Sequence, residues 1–153
     1  MLLMLIACAG GISQQARSQV TYTGAFSDVL SNPTGFEGQT VIWGGKVIEI
    51  QNQGGFTEIV ALQLELDSKY RPTDSDKSQG RFLIRSDQFL DPVIYPPGTL
   101  ITVVGRLQGV EKRLIGEMEY QYPVIDVVEI QKYDPQQKSK PQLHIGIGVG
   151  GTF

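Results

Sequence analysis

The sequence is poor in the residues that most metal and enzyme sites require. It has one cysteine, Cys8, and one histidine, His144, among 153 residues. A single sulfur excludes an intrachain disulfide and a cysteine-based zinc cluster. A lone histidine close to the C-terminal end offers little to a histidine-based acid–base or metal site, and no serine stands in a Gly-x-Ser-x-Gly motif. We therefore predict no metal, no cofactor and no catalytic residue.

Positive charge and long apolar runs are also scarce. The 13 Lys and Arg residues are outnumbered by 16 Asp and Glu residues, which gives a formal charge of −3. Nucleic-acid affinity depends on neutralising phosphates with Lys and Arg, so we expect no nucleic-acid partner. No apolar run approaches the ~20 residues of a membrane-spanning helix. The chain length and the 41% hydrophobic content predict one domain with one core, which we place at residues 24–133.

The first residues have the character of a targeting segment. Met1–Ala7 is apolar and stops at Cys8, which is followed by the small residue Ala9. A secretory signal has a basic part and an apolar part of about 7 to 15 residues; here the basic part is missing, so we expect the translation start to lie upstream. The motif Leu5-Ile-Ala-Cys8 resembles the lipobox of bacterial lipoproteins. The resemblance implies that residues 1–7 are removed, that Cys8 is acylated, and that Ala9 addresses the protein to the outer membrane.

Polar residues follow the cysteine, and we interpret residues 8–23 as a flexible tether between lipid and domain. A short helix is predicted at Phe26–Leu30, which ends before Pro33.

The central extended segment is Thr40–Gln51. Val41 and Trp43 fall on one face of the strand, and the pair Gly44-Gly45 predicts a bulge or a barrel corner in its middle. The turn signal Asn52-Gln-Gly-Gly55 leads into a second, antiparallel strand. This second strand is predicted at residues 56–66, and further strands are predicted at residues 80–86, 99–107, 114–120 and 124–132. About six strands with glycine bends predict an all-β fold, a small antiparallel barrel of the OB type with one short N-terminal helix and flexible tails; a sandwich is the alternative.

Six short motifs resemble the Slp family of outer-membrane lipoproteins in their order and spacing. They are Val41-Ile-Trp-Gly-Gly45, Ser78-Gln-Gly-Arg-Phe82, Phe89-Leu-Asp-Pro92, Thr102-Val-Val-Gly105, Ile115-Gly-Glu117 and Tyr120-Gln-Tyr-Pro-Val124. The resemblance implies a lipoprotein of the Gram-negative outer membrane, associated with starvation or stationary phase, and it brings no catalytic residues. We expect the barrel to face the periplasm in a structural or binding role, with outer-membrane lipid as the partner of the acyl anchor.

Two alternative functions remain open from the residues alone. A binding face for oligosaccharides would use Trp43, Arg81, Arg106, Tyr120 and Tyr122, whereas the favoured interpretation makes the aromatic residues core and pairs the strand arginines with acidic neighbours.

An envelope hydrolase would need carboxylates that meet at the barrel rim, for which Asp91, Glu117 and Glu119 are the candidates. The segment Asp74–Ser78 begins like a calcium loop, but Arg85 stands where a bidentate glutamate is required, so we interpret it as a solvated loop.

The C-terminal residues 134–153 consist of a polar linker and an alternating tail, Leu143 to Phe153. Every second residue of Leu143–Val149 is apolar, which is typical of a strand, so we predict that the tail adds to an open sheet edge, contacts an envelope protein partner or touches lipid. The glycine pattern Gly146–Gly151 resembles a dinucleotide motif but is not followed by the helix that would hold a pyrophosphate.

Overall fold

The computed structural model describes residues 11–133, so Cys8 and the tail Leu143 to Phe153 lie outside the described residues. The elements are helices α1 (Gln14–Arg17) and α2 (Phe26–Ser31), a 3-10 turn (Pro33–Phe36), and strands β1 (Thr40–Gln53), β2 (Phe56–Leu64), β3 (Arg81–Ser86), β4 (Leu100–Ile115) and β5 (Met118–Tyr133). The predicted short helix at Phe26–Leu30 is confirmed.

The five strands form a closed barrel in the order β1-β2-β3-β5-β4. All neighbours are antiparallel except β3 and β5, which pair in parallel over three residues. This confirms the all-β, OB-type prediction. The described residues form five strands where about six were predicted, because the three segments expected at 99–107, 114–120 and 124–132 form one hairpin of two 16-residue strands. Its turn lies at Gly116, where φ is +62°.

The barrel interior follows the alternation of the strands. Trp43 from β1 and Phe82 from β3 meet edge to face at 5.0 Å between ring centroids, and Phe26 of α2 packs on Trp43 at 4.7 Å. Ile59, Ile101 and other aliphatic side chains complete this cluster without measurable exposure. Aromatic pairs in such geometry add about 0.5–1.5 kcal/mol to the free energy of burial, so these three rings form the centre of the core.

Strand β1 closes the barrel because it pairs on both sides at once. Gly44, Gly45 and Lys46 are in register with Leu64, Gln63 and Leu62 of β2 and with Thr102, Ile101 and Leu100 of β4. The predicted bulge is not at the glycines: the register shifts between Val47 and Glu49. The glycines instead permit close approach, since a Cβ on Gly44 would lie 2.7 Å from the carbonyl oxygen of Leu64.

The two ends of the barrel differ. Helix α2 sits at the start of β3, where the backbone N–H of Ser27 donates to Gln79 Oε1 at 2.8 Å; we call this the helix end. The connector 87–99 follows the end of β3 and contacts strands β1 and β2, with Leu90 N donating to Oγ1 of Thr57 near the start of β2 at 3.1 Å and Gly98 N to the Val47 carbonyl of β1 at 2.8 Å. We call this the connector end.

The described part of the predicted tether packs against the barrel. Ile12 and Ala16 are buried in a cluster with Val104 on the outside of β4, and Ser13 donates twice to Glu129, at 2.6 Å from its N–H and 2.8 Å from its hydroxyl. Ser13 also caps α1 by accepting from Ala16 N. The prediction of a flexible tether is therefore wrong for this segment, because it has apolar side chains to bury.

Substituting Gly44 with alanine tests the close approach of β1 and β2. We expect Gly44→Ala to lower the free energy of unfolding by about 1–3 kcal/mol, since the new Cβ would overlap backbone that cannot move independently. Gly55→Ala is the matched control, because its Cβ would meet no atom within 4 Å. Chemical denaturation measures both, and equal stability of the two variants would contradict the assignment.

Candidate functional surface

A long hairpin extends beyond the barrel and lies on its outer surface. Up to Leu107, β4 pairs with β1 or β5 as part of the barrel wall; from Gly109 onward it pairs only with β5. The register shifts between Leu107 and Gly109, so a bulge separates the two halves. We call residues 109–123 the ribbon.

The ribbon covers the outer face of β2 and β3. Tyr122 and Val124 are buried with Val60 of β2 and Leu83 of β3 in an apolar cluster that is separate from the barrel interior. Tyr120 packs against the same cluster, and its hydroxyl accepts a hydrogen bond of 2.9 Å from the backbone N–H of Arg81. The first residue of β3 is thus satisfied by a side chain of the ribbon.

Four charged side chains close the contact between ribbon and barrel. Arg85 of β3 donates to Glu58 of β2 at 3.1 Å and to Glu111 of the ribbon at 2.6 Å. Arg113 of the ribbon donates to Glu58 at 2.6 Å and also to Glu111. Each carboxylate therefore accepts from both guanidinium groups. We call these four side chains the charge ring. Glu58 is nearly inaccessible to solvent, and a buried carboxylate is costly unless hydrogen bonds from cationic partners replace its lost hydration, as those from Arg85 and Arg113 do here.

The protonation states follow from the ring geometry. Partial burial by itself raises the pKa of Glu111, but the hydrogen bonds and positive charges of Arg85 and Arg113 outweigh it, so the pKa of Glu111 lies below its ordinary value. Burial alone would lower the pKa of Arg85, but the hydrogen bonds and negative charges of Glu111 and Glu58 outweigh it, so the pKa of Arg85 lies above its ordinary value. The shifted pKa values of Glu111, Arg85 and Arg113 thus keep these three groups charged at neutral pH.

The structure separates the five residues that sequence patterns suggested as a binding face. Trp43 lies in the barrel interior, whereas Tyr122 is buried in the cluster under the ribbon. Tyr120 is hydrogen-bonded to the half-buried Arg81, and Arg106 is exposed in register with Thr40 and Asp126 on the neighbouring strands. They do not form one surface. The favoured interpretation, with aromatic residues in the core and strand arginines paired with acids, holds for Trp43, Arg85 and Arg113.

The candidate catalytic carboxylates are not brought together. Asp91 accepts a hydrogen bond of 2.9 Å from Val93 N, which makes it the cap of a turn in the connector. Glu117 and Glu119 are exposed on the ribbon. Within residues 11–133 no hydrogen bond or ion pair joins any two of the three, and no group of three metal-ligating side chains occurs there.

The connector end exposes apolar side chains in two clefts. One cleft of about 350 Å³ is lined by Phe56 and Phe89, and a second of about 430 Å³ by Val93, Ile94 and Lys132. The exposed fractions of Phe89, Val93 and Ile94 are 69%, 84% and 49%. We call Phe56, Phe89, Val93 and Ile94 the connector surface. Lys132 spans its rim, where Nζ donates to the Ile94 carbonyl at 3.1 Å.

Sequence reasoning missed the charge ring and the connector surface. Glu58 shares a strand face with the apolar residues Val60, Leu62 and Leu64, so the alternation pattern already indicated a covered position. Val93 and Ile94 lie between Pro92 and Pro96. The prolines predicted that the connector is not a long helix, but they gave no sign that these two side chains are exposed. Spacing also signalled the packed N-terminal segment, because Ile12, Ala16 and Val20 recur every four residues.

Comparisons with known proteins identify a family. A family model described as the outer membrane lipoprotein Slp family matches residues 5–147. The chain is 37% identical over 110 residues to the uncharacterized lipoprotein YeaY of Escherichia coli K12, covering 72% of this chain and 56% of the relative. It is 32% identical over 129 residues to the outer membrane protein Slp of the same organism, covering 83% and 68%.

Two solved structures are distantly similar. They are the small single-stranded DNA-binding protein from Streptomyces coelicolor, with a TM-score of 0.41, 15% identity and coverage of 63% of this chain and 94% of that one, and Pot1pC of Schizosaccharomyces pombe bound to single-stranded DNA, with a TM-score of 0.37, 10% identity and coverage of 67% and 84%. These likenesses bear on neither ligand nor function.

Fold and surface together define a small OB-type barrel whose β2–β3 face is covered by its own ribbon. The chain belongs to the outer membrane lipoprotein Slp family. This confirms the predicted family and the predicted localisation at the outer membrane. The part of YeaY that the chain matches is little more than half of that relative. Among the described helices, none is long and apolar enough to cross a membrane.

The charge ring predicts acid sensitivity. Because the pKa of Glu111 is lower in the folded than in the unfolded chain, its contribution is complete above the ordinary carboxyl pKa and is lost as the pH falls through the folded value. We expect Glu111→Gln to reduce the free energy of unfolding at neutral pH by up to about 1 kcal/mol, the scale of a partly exposed pair.

This difference from the unsubstituted protein should shrink at pH values below ~4. Denaturant titrations at several pH values measure it, with Glu117→Gln, exposed in the turn of the same ribbon, as control. A Glu111→Gln difference that stays constant with pH would contradict the assignment.

Proposed function

We propose that this protein is a lipid-anchored module, acylated at Cys8, whose barrel faces the periplasm and has a structural or partner-binding role without catalysis. The observation that carries the proposal is the covered β2–β3 face. OB-type barrels bind oligonucleotides and oligosaccharides on the face of strands 2 and 3 and with the loop between strands 4 and 5. Here that loop is the ribbon, and it fills the face with Tyr122 and the charge ring.

The short segment between Cys8 and the barrel supports the proposed structural or partner-binding role. Ile12 is the first buried residue among the residues that the structure describes, and Ser13 donates to Glu129. A domain that starts four residues after an acyl anchor has a short reach from the membrane, since extended chain spans at most about 3.6 Å per residue. This short reach would keep the barrel close to the membrane, which suits contacts at the membrane surface better than binding of distant ligands.

The enzyme alternative has little support from the described residues. The two exposed ribbon carboxylates, Glu117 and Glu119, are not joined to Asp91, whose oxygen is engaged in a turn. Acid–base pairs divide their roles through environments that move their pKa values apart, and such a pair requires proximity. The association with starvation or stationary phase, implied by family resemblance, belongs to the proposal and is testable by protein level during growth.

Acylation is tested at the cysteine. We expect the protein, expressed behind a complete lipoprotein signal peptide, to incorporate labelled palmitate and to fractionate with the outer membrane, protected from external protease in intact cells. Cys8→Ser should lose the label and the membrane association, because no other cysteine is present. Equal labelling of both proteins would refute the anchor, and digestion in intact cells would refute the periplasmic orientation.

Ligand binding through the barrel face is tested with single-stranded oligonucleotides. The proposal predicts no retention even at low salt, because the β2–β3 face is filled and the chain carries a net negative charge. Retention that weakens steeply as salt is raised would contradict the proposal. Soluble glycans in the same format test the oligosaccharide alternative, with binding abolished by Tyr120→Ala as the outcome that would favour it.

A further inference from the structure

The apolar residues of the connector surface are grouped rather than scattered. Single exposed apolar side chains are ordinary on protein surfaces, whereas a group of them marks a protein or membrane contact. Phe56 and Phe89 share one cleft at this end, and Val93 and Ile94 share the next. The opposite, helix end presents the polar residues Ser31 and Thr34 to solvent.

The N-terminal segment leads to this same end. Ser13 is held at Glu129, and two residues earlier Gly11 lies beside the ring of Tyr133, where an added Cβ would be 3.6 Å from the hydroxyl. From Glu129, strand β5 continues to its last residue, Tyr133. Tyr133 pairs with Leu100, the first residue of β4 after the connector. Traced back from Ser13, the chain therefore moves toward the connector end.

The distance from there to the anchor is short. Three peptide steps separate Gly11 from Cys8, and they span at most about 11 Å in any conformation. An acyl group on Cys8 would hold the end of the barrel nearest to Gly11 within that distance of the lipid. The end nearest to Gly11 is the one that carries Val93 and Ile94, because Tyr133 lines the same cleft as these two residues.

We propose that the connector surface, Phe56, Phe89, Val93 and Ile94, rests on the lipid surface that holds the anchor, so that the barrel stands with its helix end pointing away from the membrane. This inference rests on the proposed acylation of Cys8. It adds an orientation that the anchor alone does not define.

The chemistry of the surface fits a shallow contact. Aliphatic and aromatic side chains can enter the headgroup boundary, while Lys132 keeps its ammonium group at the rim, where lipid phosphates are available. Asp87 and Asp91 lie in the same connector, and the irregular backbone between them cannot enter the hydrocarbon without unpaired polar groups. The side chains therefore reach the boundary while the backbone stays outside.

A second exposed apolar pair provides the matched comparison. Leu114 and Met118, at the tip of the ribbon, are 70% and 74% exposed. They belong to the hairpin that crosses β2 and β3, not to the end that the N-terminal segment approaches. Exposure alone would make them equal candidates for lipid contact, so the path of the chain distinguishes the two sites.

Single cysteines with an environment-sensitive fluorophore test the orientation. Cys8 is the only native cysteine and has no free thiol once acylated, so Val93→Cys, Leu114→Cys and Ser31→Cys can each be labelled uniquely. The full-length acylated proteins are reconstituted in vesicles of phosphatidylethanolamine and phosphatidylglycerol, with or without brominated acyl chains. We expect a blue shift and loss of emission for the label at position 93, and neither change at positions 114 and 31.

The outcomes separate this inference from the proposed function. Acylated, vesicle-bound protein whose label at position 93 is not quenched, or whose label at position 114 is quenched instead, would overturn the orientation while the anchor stands. Absence of both acyl group and vesicle association would refute the anchor and the inference together.

The C-terminal segment Leu143 to Phe153 is the other candidate occupant, since it follows Tyr133 in the sequence. A blue-shifted label at position 93 without vesicles, lost when the chain is ended at residue 142, would show that this segment covers the surface and would overturn lipid contact.

Discussion

The double pairing of β1 is the constraint on which the rest of the structure depends. At Gly44, Gly45 and Lys46 one strand completes hydrogen-bonded ladders with both β2 and β4. A closed sheet has no edge to protect. Closure also forms the interior, because it brings Trp43 of β1 and Phe82 of β3, two strands that are not neighbours, into contact inside the barrel. Gly44 is required for close approach to the backbone of β2, and Gly45 leaves room for the side chains of Ala61 and Phe82; neither glycine is there for a bulge.

Closure leaves the ribbon, the half of the β4–β5 hairpin next to its turn, outside the barrel wall. The ribbon instead covers the outer face of β2 and β3. A two-stranded ribbon is marginally stable by itself, so its residues need partners, and the outer face of β2 and β3 supplies them. Apolar contact through Tyr122 and Leu83 provides the burial. The charge ring fixes the position, since Glu58 accepts from arginines on two different elements. The face that other barrels of this type offer to ligands is here an internal interface.

The sequence predicted those features that depend on short spacing. Alternation identified Val41 and Trp43 as one face of β1, and Asn32-Pro33 marked the end of α2. It could not predict that Glu58 and Arg113, 55 residues apart, share a hydrogen bond, because that contact depends on the direction in which a bulge near Gln108 sends the ribbon. Arg81, Arg106 and Trp43 were all candidates for one binding face, yet Trp43 lies in the barrel interior while Arg81 is half-buried and Arg106 is exposed. The tether was misjudged because polar composition outweighed a four-residue apolar spacing.

The packed N-terminal segment has a mechanical consequence. A flexible tether would let the membrane and the domain move independently, whereas Ile12 and Ser13 couple the chain to Val104 and Glu129 in the barrel wall. Force applied through a lipid on Cys8 would be carried first by these contacts and then by β4 and β5, whose ladder runs the length of both strands. Tension along strands is borne by many hydrogen bonds in parallel when it shears them, and by few when it peels them from an end. The segment lies beside the wall and enters from the end of β5, so a pull on a lipid at Cys8 would run parallel to the strands and would load the contacts of Ile12 and Ser13 with the wall in shear.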